Sequence, residues 1–345
     1  MRKEESGALQ GIAVLLMIFH HCFLYSYMFL DGFIRHPEFT EHFARSTRIA
    51  IAICAFVSGY GIFHVLKKKD GYAEEYPDML KRILKIYVKY WIAILITLAV
   101  EALIFHEVIA WNELFGNLTG FEPTYNTTWW YIREYMFMLL IAPLIKSLLQ
   151  GGKKRRLLLL ILFLVIALAG AITVITGNAE PVITFLRKYV QIVLLVIFFE
   201  GYFAAFLQDR LKEKINHRDH PVALVFVTGL VIATCAYVIR YMVAFDAGDS
   251  KPDMLIAPVV ILGAVLVFRS VTVLRKVFGF LGSNLLYMWF IHGLIWKEAF
   301  VFLTSKTTPI FYYSVIVISS LLISVLLTQA EKLIFNRRKS DKVQA

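Results

Sequence analysis

The chain is poor in both cysteine and charge. Only three of its 345 residues are cysteines, at positions 22, 54 and 235, and Asp, Glu, Lys and Arg together make up 18%. The cysteines lie inside apolar runs without metal-ligand or disulfide spacing, which indicates small core residues. An ordinary globular protein has about 25% charged residues. So few charges do not build a water-facing surface, and this excludes soluble, disordered and disulfide-rich classes.

Several short motifs of enzymes and pumps are missing as well. The sequence contains no Walker A motif, no His-Glu-x-x-His, no Cys-x-x-Cys and no Gly-x-Ser-x-Gly. Without a Walker A motif, ATP-driven transport lacks the loop that holds the nucleotide phosphates. We therefore predict no bound cofactor and no metal site.

Apolar side chains dominate instead, at 59% of the chain. A bilayer core needs about 20 apolar residues per helix. The sequence thus predicts an all-α polytopic membrane protein, a single domain over 1–345. The first apolar run has no small-residue cleavage site, so we expect it to remain as the first helix. The ten predicted spans are 9–30, 48–66, 83–105, 128–149, 157–177, 189–208, 221–243, 254–271, 279–303 and 310–333.

The distribution of basic residues predicts the orientation. With the N-terminus inside, 26 of the 36 Lys and Arg residues fall on the inner tails and loops. Cytoplasmic loops carry such an excess, so both termini are expected in the cytoplasm. The net charge of +11 has the same origin. It favours contact with anionic lipid heads or an anionic cytosolic ligand over nucleic-acid binding.

Ionisable residues inside apolar runs are candidates for function, because burying them in lipid is costly. His20 and His21 lie in the first span and His292 in the ninth, at similar expected depths. They suit a base with an acid or an orienting partner, or imidazoles bonded to neighbouring helices. Adjacent residues of a helix point about 100° apart, so at most one of His20 and His21 faces a given site squarely. Glu134, in the fourth span, is either a further catalytic candidate or structural glue with Arg133.

Arg82 and Lys85 precede the third span on the expected inner side. Their charge suits either topology and lipid contact or a clamp for the phosphates of a cytosolic ligand. The sequence alone does not separate these two readings.

Four stretches, in this order, resemble the acyltransferase 3 family of bacterial membrane acyltransferases. The resemblance covers nearly the whole chain. The stretches are LQGIAVLLMIFHH at 9–21, FVSGY at 56–60, WWYI at 129–132 with Tyr135 and Pro143, and LGSNLLYMWFIH at 281–292.

The resemblance implies transfer of an acyl group, often acetyl, from cytosolic acyl-CoA to a sugar hydroxyl outside the cell. Acyl-CoA is then a donor substrate, and the location is the bacterial plasma membrane. Many members carry a fused soluble esterase-like domain, which we do not expect here.

One position departs from the family. Members typically have Arg eleven positions before the histidine of the first helix, where this chain has Gln10. Glutamine cannot form the bidentate ion pair of an arginine. The family's paired arginines before the third span correspond only to Arg82 and Lys85.

The leading hypothesis is a membrane O-acyltransferase acting on a surface polysaccharide or its lipid-linked precursor. His21 is the expected general base or nucleophile, supported by His20, His292 and Glu134, and Gln10, Arg82 and Lys85 are the expected donor-binding residues. The alternatives are a secondary transporter or flippase, and a non-catalytic partner in polysaccharide assembly. The oligomeric state is left open, a homo-oligomer included.

Overall fold

The computed structural model describes residues 1–24, 33–106, 109–157, 160–161, 164, 184, 190–211, 221–244, 250–304 and 307–344. Within these ranges the chain is helical and has no strand. The predicted fold class, an all-α polytopic membrane protein, is confirmed. The α-helices are α1 Lys3–Phe23, α2 Pro37–Ser46, α3 Ile49–Leu66, α4 Tyr72–Leu103, α5 Leu114–Thr119, α6 Tyr131–Gln150, α7 Ile192–Leu211, α8 Val222–Met242, α9 Asp253–Ser270, α10 Thr272–Ser283, α11 Leu285–Thr304 and α12 Pro309–Gln344.

Seven helices of the described ranges are long and apolar enough to cross a membrane, and an eighth span results if the bent pair α10–α11 counts as one. Helix α6 is not counted among these spans because it carries three charged residues, Arg133, Glu134 and Lys146. Most of the predicted span 157–177 lies outside the described residues. The count of ten spans and the cytoplasmic location of both termini therefore stay predictions.

The stretch predicted as one span, 279–303, is divided by a bend. Helices α10 and α11 meet at Asn284 at an angle of 67°. The Asn284 side-chain amide donates to the carbonyl of Phe280 (3.0 Å), and the Ser324 hydroxyl donates to the Asn284 carbonyl (2.9 Å). Backbone groups freed by a break need such partners inside a membrane protein, so these two polar side chains make the bend tolerable.

The chain divides into two compact units. The first, here called the histidine unit, comprises Met1–Cys54, Lys89–Trp111 and His217–Ala345. The second unit comprises Ala55–Val88 and Asn112–Asn216.

Helix α10 packs against α1 in the histidine unit with the two backbones touching. A Cβ atom on Gly11 would lie 1.9 Å from the carbonyl oxygen of Phe278, and one on Gly282 would lie 1.9 Å from that of Gly7. Only glycine allows helices so close. Since Gly282 directly precedes the bend, this contact fixes where α11 starts relative to α1.

Ion pairs secure the same unit at both ends of its helices. Near the start of α1, the carboxylate of the buried Glu5 lies 3.1 Å from the guanidinium of Arg269 on α9. Between α8 and α9, Arg240 and Asp253 are fully buried and 2.5 Å apart. Buried charges are tolerated only when paired, so these pairs fix how the helices are aligned.

The second unit is held by its own close packing and by a buried lysine. A Cβ atom on Gly59 of α3 would lie 1.9 Å from the carbonyl oxygen of Phe198 of α7. The Lys146 ammonium donates to Glu75 and to the carbonyl of Lys69, each at 2.6 Å. These bonds tie α6 to the turn after α3 and to the first turn of α4.

The α1–α10 contact predicts that Gly11→Ala destabilises the protein. The added methyl group collides with backbone, and such overpacking costs about 1–3 kcal/mol. The melting temperature of the detergent-solubilised protein should fall. Gly7→Ala is the matched control on the same helix, because its Cβ would meet its nearest neighbour at 3.8 Å. Equal melting temperatures for the two variants would contradict the packing described here.

Candidate functional site

His20 and His21 lie in the last turn of α1, and the structure pairs only one of them with His292. Nδ1 of His21 is 2.8 Å from Nε2 of His292. The ring centroids are 4.9 Å apart and the ring planes differ by 22°, so the two rings meet edge to edge through this bond. His292 is fully buried. Two of the three candidate histidines thus form a hydrogen-bonded pair between α1 and α11.

The carbonyl oxygens around His292 determine which ring nitrogens carry hydrogen. Nδ1 of His292 lies 2.6 Å from the carbonyl oxygen of Trp289 and 3.2 Å from that of Met288. Because carbonyls only accept, this nitrogen is the N–H donor, and Nε2 of the neutral ring is an acceptor. His21 therefore donates from Nδ1. Its Nε2 keeps the lone pair that a general base or a nucleophile needs.

His20 has a different hydrogen-bond partner in the structure. Its Nδ1 lies 2.7 Å from the carbonyl oxygen of Ala44 on α2. The Thr47 hydroxyl donates to the same oxygen, also at 2.7 Å. The His20 ring stands at 73° to that of His21. Its bond to Ala44 attaches the end of α2 to α1, so His20 has a structural partner and points away from the His21–His292 pair.

Arg48 is a neighbour of this site that the sequence reasoning did not single out. It lies between α2 and α3, one residue after Thr47. Its Nε donates to the hydroxyl of Ser250 at 3.1 Å. A charged residue at the start of an apolar span is a signal for a functional site, but the same position also suits an ordinary helix end.

Glu134 belongs to the second unit and is fully buried. Its Oε1 accepts from the guanidinium of Arg133 at 3.1 Å, and its Oε2 accepts from the backbone N–H of Gln191 at 3.0 Å. Both carboxylate oxygens are thus engaged in the packing of this unit. The contacts favour the structural reading of Glu134 over the catalytic one.

Gln10 borders a cavity at the start of α1. The cavity has a volume of about 610 Å³. Three of its lining residues are basic, and Gln10 and two serines add polar groups. The lining residues are Lys3, Glu4, Ser6, Gly7, Gln10, Arg275, Lys276, Gly279 and Ser283.

Gln10 and His21 share a face of α1. Eleven residues separate them, which corresponds to about three turns and a rise of about 16 Å. The cavity and the His21 ring are therefore at two levels of one helix surface. No sequence pattern other than their charge marked Lys3 and Lys276 as cavity residues.

The predicted donor residues Arg82 and Lys85 lie on α4 in the second unit. The Arg82 guanidinium lies 3.2 Å from the Asp78 carboxylate one helical turn earlier. Lys85 is exposed. Among the residues that the structure describes, no group of three or more His, Cys, Asp or Glu side chains is arranged to hold a metal ion.

Comparison with known proteins gives one match. A family model described as an acyltransferase domain matches residues 6–329, nearly the whole chain. No curated protein and no solved structure matches it. Both paired histidines, the glycines between α1 and α10 and the bend at Asn284 fall inside the matched range. The chain belongs to the acyltransferase 3 family of membrane proteins.

Proposed function

We propose that this protein is a membrane O-acyltransferase of the bacterial plasma membrane. It moves an acyl group, with acetyl favoured, from cytosolic acyl-CoA to a hydroxyl of a surface polysaccharide or its lipid-linked precursor. The observation that carries the proposal is the hydrogen-bonded chain from Trp289 through His292 to His21. This chain leaves the lone pair of His21 Nε2 available for chemistry.

In this reaction His21 acts first as a base and then as an acid. Nε2 takes the proton of the acceptor hydroxyl while its oxygen bonds to the acyl carbon. The tetrahedral intermediate then collapses, the carbon–sulfur bond breaks, and Nε2 returns the proton to the departing thiolate of CoA. A group placed for both transfers typically contributes about 10²–10⁴ in rate.

His292 acts as the positioning residue of the pair. Its Nε2 holds the His21 ring in the tautomer that presents Nε2 to the substrate. When His21 is protonated, the hydrogen bond from its Nδ1 becomes charge-assisted and therefore stronger. The carbonyl of Trp289 in turn fixes the His292 ring. The arrangement follows the general pattern of a base oriented by a second group.

The cavity beside Gln10 is the proposed site for the phosphates of CoA. Lys3 and Lys276 line it and are exposed, and ammonium groups suit phosphate oxygens. Gln10 adds an amide donor where the family typically has Arg. From this cavity the linear pantetheine arm would follow α1 over about 16 Å to bring the thioester to His21. Arg82 and Lys85, in the second unit, are the alternative proposed contact for the phosphates, as the family resemblance implies.

His21→Ala should abolish transfer of label from [14C]acetyl-CoA to envelope glycan, because the only group proposed to move the proton is lost. His20→Ala should retain measurable transfer, because its ring bonds to Ala44. Both variants are compared at equal membrane content and after size-exclusion chromatography. Full transfer by a well-folded His21→Ala protein would refute the catalytic assignment. The transporter and scaffold alternatives require no label transfer even from the native protein.

His292 either positions His21 or only fills space, and two substitutions of His292 distinguish these roles. His292→Gln keeps a side-chain oxygen that accepts from His21, whereas His292→Leu does not. We expect His292→Leu to lower kcat by about 10²-fold and His292→Gln to recover part of this loss. If His292 only fills space, activity does not depend on whether the replacement side chain has an oxygen that accepts from His21. Equal rates for His292→Gln and His292→Leu would therefore argue against a positioning role.

Charge reversal tests the donor cavity. The double variant Lys3→Glu/Lys276→Glu should raise the KM for acetyl-CoA by about tenfold, equivalent to about 1.4 kcal/mol, without a comparable change in kcat. Arg82→Glu/Lys85→Glu tests the second proposed contact in the same way. Lys153→Glu is the matched control, since Lys153 is exposed on another basic segment. An unchanged KM in the first double variant would remove the cavity from the donor site.

A further inference from the structure

An ion pair borders the cavity at the start of α1. The Glu4 carboxylate in the first turn of α1 lies 3.0 Å from Nε of Arg275 on α10, and both residues line the cavity. Lys3 and Lys276, proposed above as phosphate ligands, line it as well. Of these three cations, only the arginine has a planar fork of donors that suits a phosphate group. That guanidinium is already occupied by a carboxylate of the same chain.

The two partners of this ion pair are held very differently. The Arg275 side chain is 12% exposed, whereas the Glu4 side chain is 71% exposed. Nη1 of Arg275 donates to the carbonyl of Phe268 at 3.3 Å, and Nη2 donates to the hydroxyl of Thr272 at 3.4 Å. Arg275 therefore keeps a fixed position near the start of α10, while the carboxylate of Glu4 has free access to solvent.

The Glu4–Arg275 pair is weak by comparison with what a phosphate group offers. Ion pairs with solvent-exposed partners shift an equilibrium by at most about fivefold. A phosphate monoester carries a charge of about −1.5 to −2 at neutral pH, and it accepts two parallel N–H bonds from a guanidinium. The two lysines of the cavity add to this attraction. A phosphate group is therefore expected to outcompete Glu4 for Arg275, whereas a single carboxylate gains nothing by replacing another.

We infer that Glu4 is the resting counter-ion of Arg275, and that a phosphate group of CoA displaces it when the donor binds. The inference rests on the proposed use of this cavity for CoA. Arg275 on α10 then supplies the guanidinium at a cavity where α1 itself offers only the amide of Gln10. Glu4 makes the cavity selective, because an anion must bind Arg275 more strongly than a carboxylate does in order to enter.

The test is a double-mutant cycle on CoA binding, measured by isothermal titration calorimetry with the full chain in phosphatidylcholine nanodiscs. Arg275→Gln should raise the Kd for CoA by about tenfold or more, because a charged hydrogen-bond donor is lost. Glu4→Gln should lower the Kd by about two- to fivefold, because the competing carboxylate is removed. In the Arg275→Gln background, Glu4→Gln should change the Kd much less, because no guanidinium remains to compete for.

Glu41→Gln is the matched control, because it removes the carboxylate of another ion pair of the same unit, with Arg45 on α2, and should leave the Kd unchanged. Melting temperature and size-exclusion profile verify the fold of each variant. Because Glu4 is exposed, Glu4→Gln tests the inference even if Arg275→Gln does not fold.

Three results would overturn the inference. The first is a Kd that Glu4→Gln leaves unchanged or raises. The second is an equal gain from Glu4→Gln with and without Arg275, which would mean that Glu4 acts only through the overall charge of the cavity. The third is loss of the Glu4→Gln effect when phosphatidylglycerol is added to the nanodiscs, which would assign the site to a lipid phosphate.

Failure of the proposed function has a different signature. A protein that shows the expected binding cycle but transfers no label from [14C]acetyl-CoA would refute the transferase proposal and retain the counter-ion exchange. A protein that transfers label while Glu4→Gln binds CoA no more tightly would refute the exchange alone.

Discussion

The contact between the backbones of α1 and α10 is the constraint on which the histidine site depends. Glycines at positions 11 and 282 let the two helices approach until carbonyl oxygens occupy the space of a missing Cβ. The chain then bends by 67° directly after this contact. The direction of α11, and so the position of His292, is set at that point. A site formed by two side chains from distant parts of the sequence needs such a fixed reference between their helices.

Two ion pairs of the same unit join its helices around this contact. Glu5 with Arg269 and Arg240 with Asp253 neutralise each other between helices. His292 is bonded to backbone carbonyls and to His21. These ion pairs therefore serve alignment, while the proposed reactive group is an imidazole.

The fold class could be predicted, and the candidate histidines could be singled out, because lipid imposes strong rules on sequence. Apolar runs mark helices, and an ionisable residue within such a run stands out. The pairing of His21 with His292 joins residues 271 positions apart, and equal expected depth gave only a weak indication of it. The bend at Asn284 was not predicted, since one Asn in an apolar run is equally typical of helix packing. Glu134 was selected for its charge, with structural pairing to Arg133 as the alternative, but its hydrogen bond from the backbone of Gln191 depends on a tertiary contact that no local pattern reveals.

The pairing of His21 with a second imidazole has a consequence for the proposed reaction. Many hydrolytic enzymes orient their histidine with a carboxylate, whose burial requires compensation for a large loss of hydration energy. In the proposed reaction the orienting group is a neutral imidazole, which loses far less on leaving water. The proposed proton relay therefore needs no salt bridge beside it. An acyl group and a sugar hydroxyl would then meet away from bulk water, where hydrolysis of the thioester has little opportunity to compete.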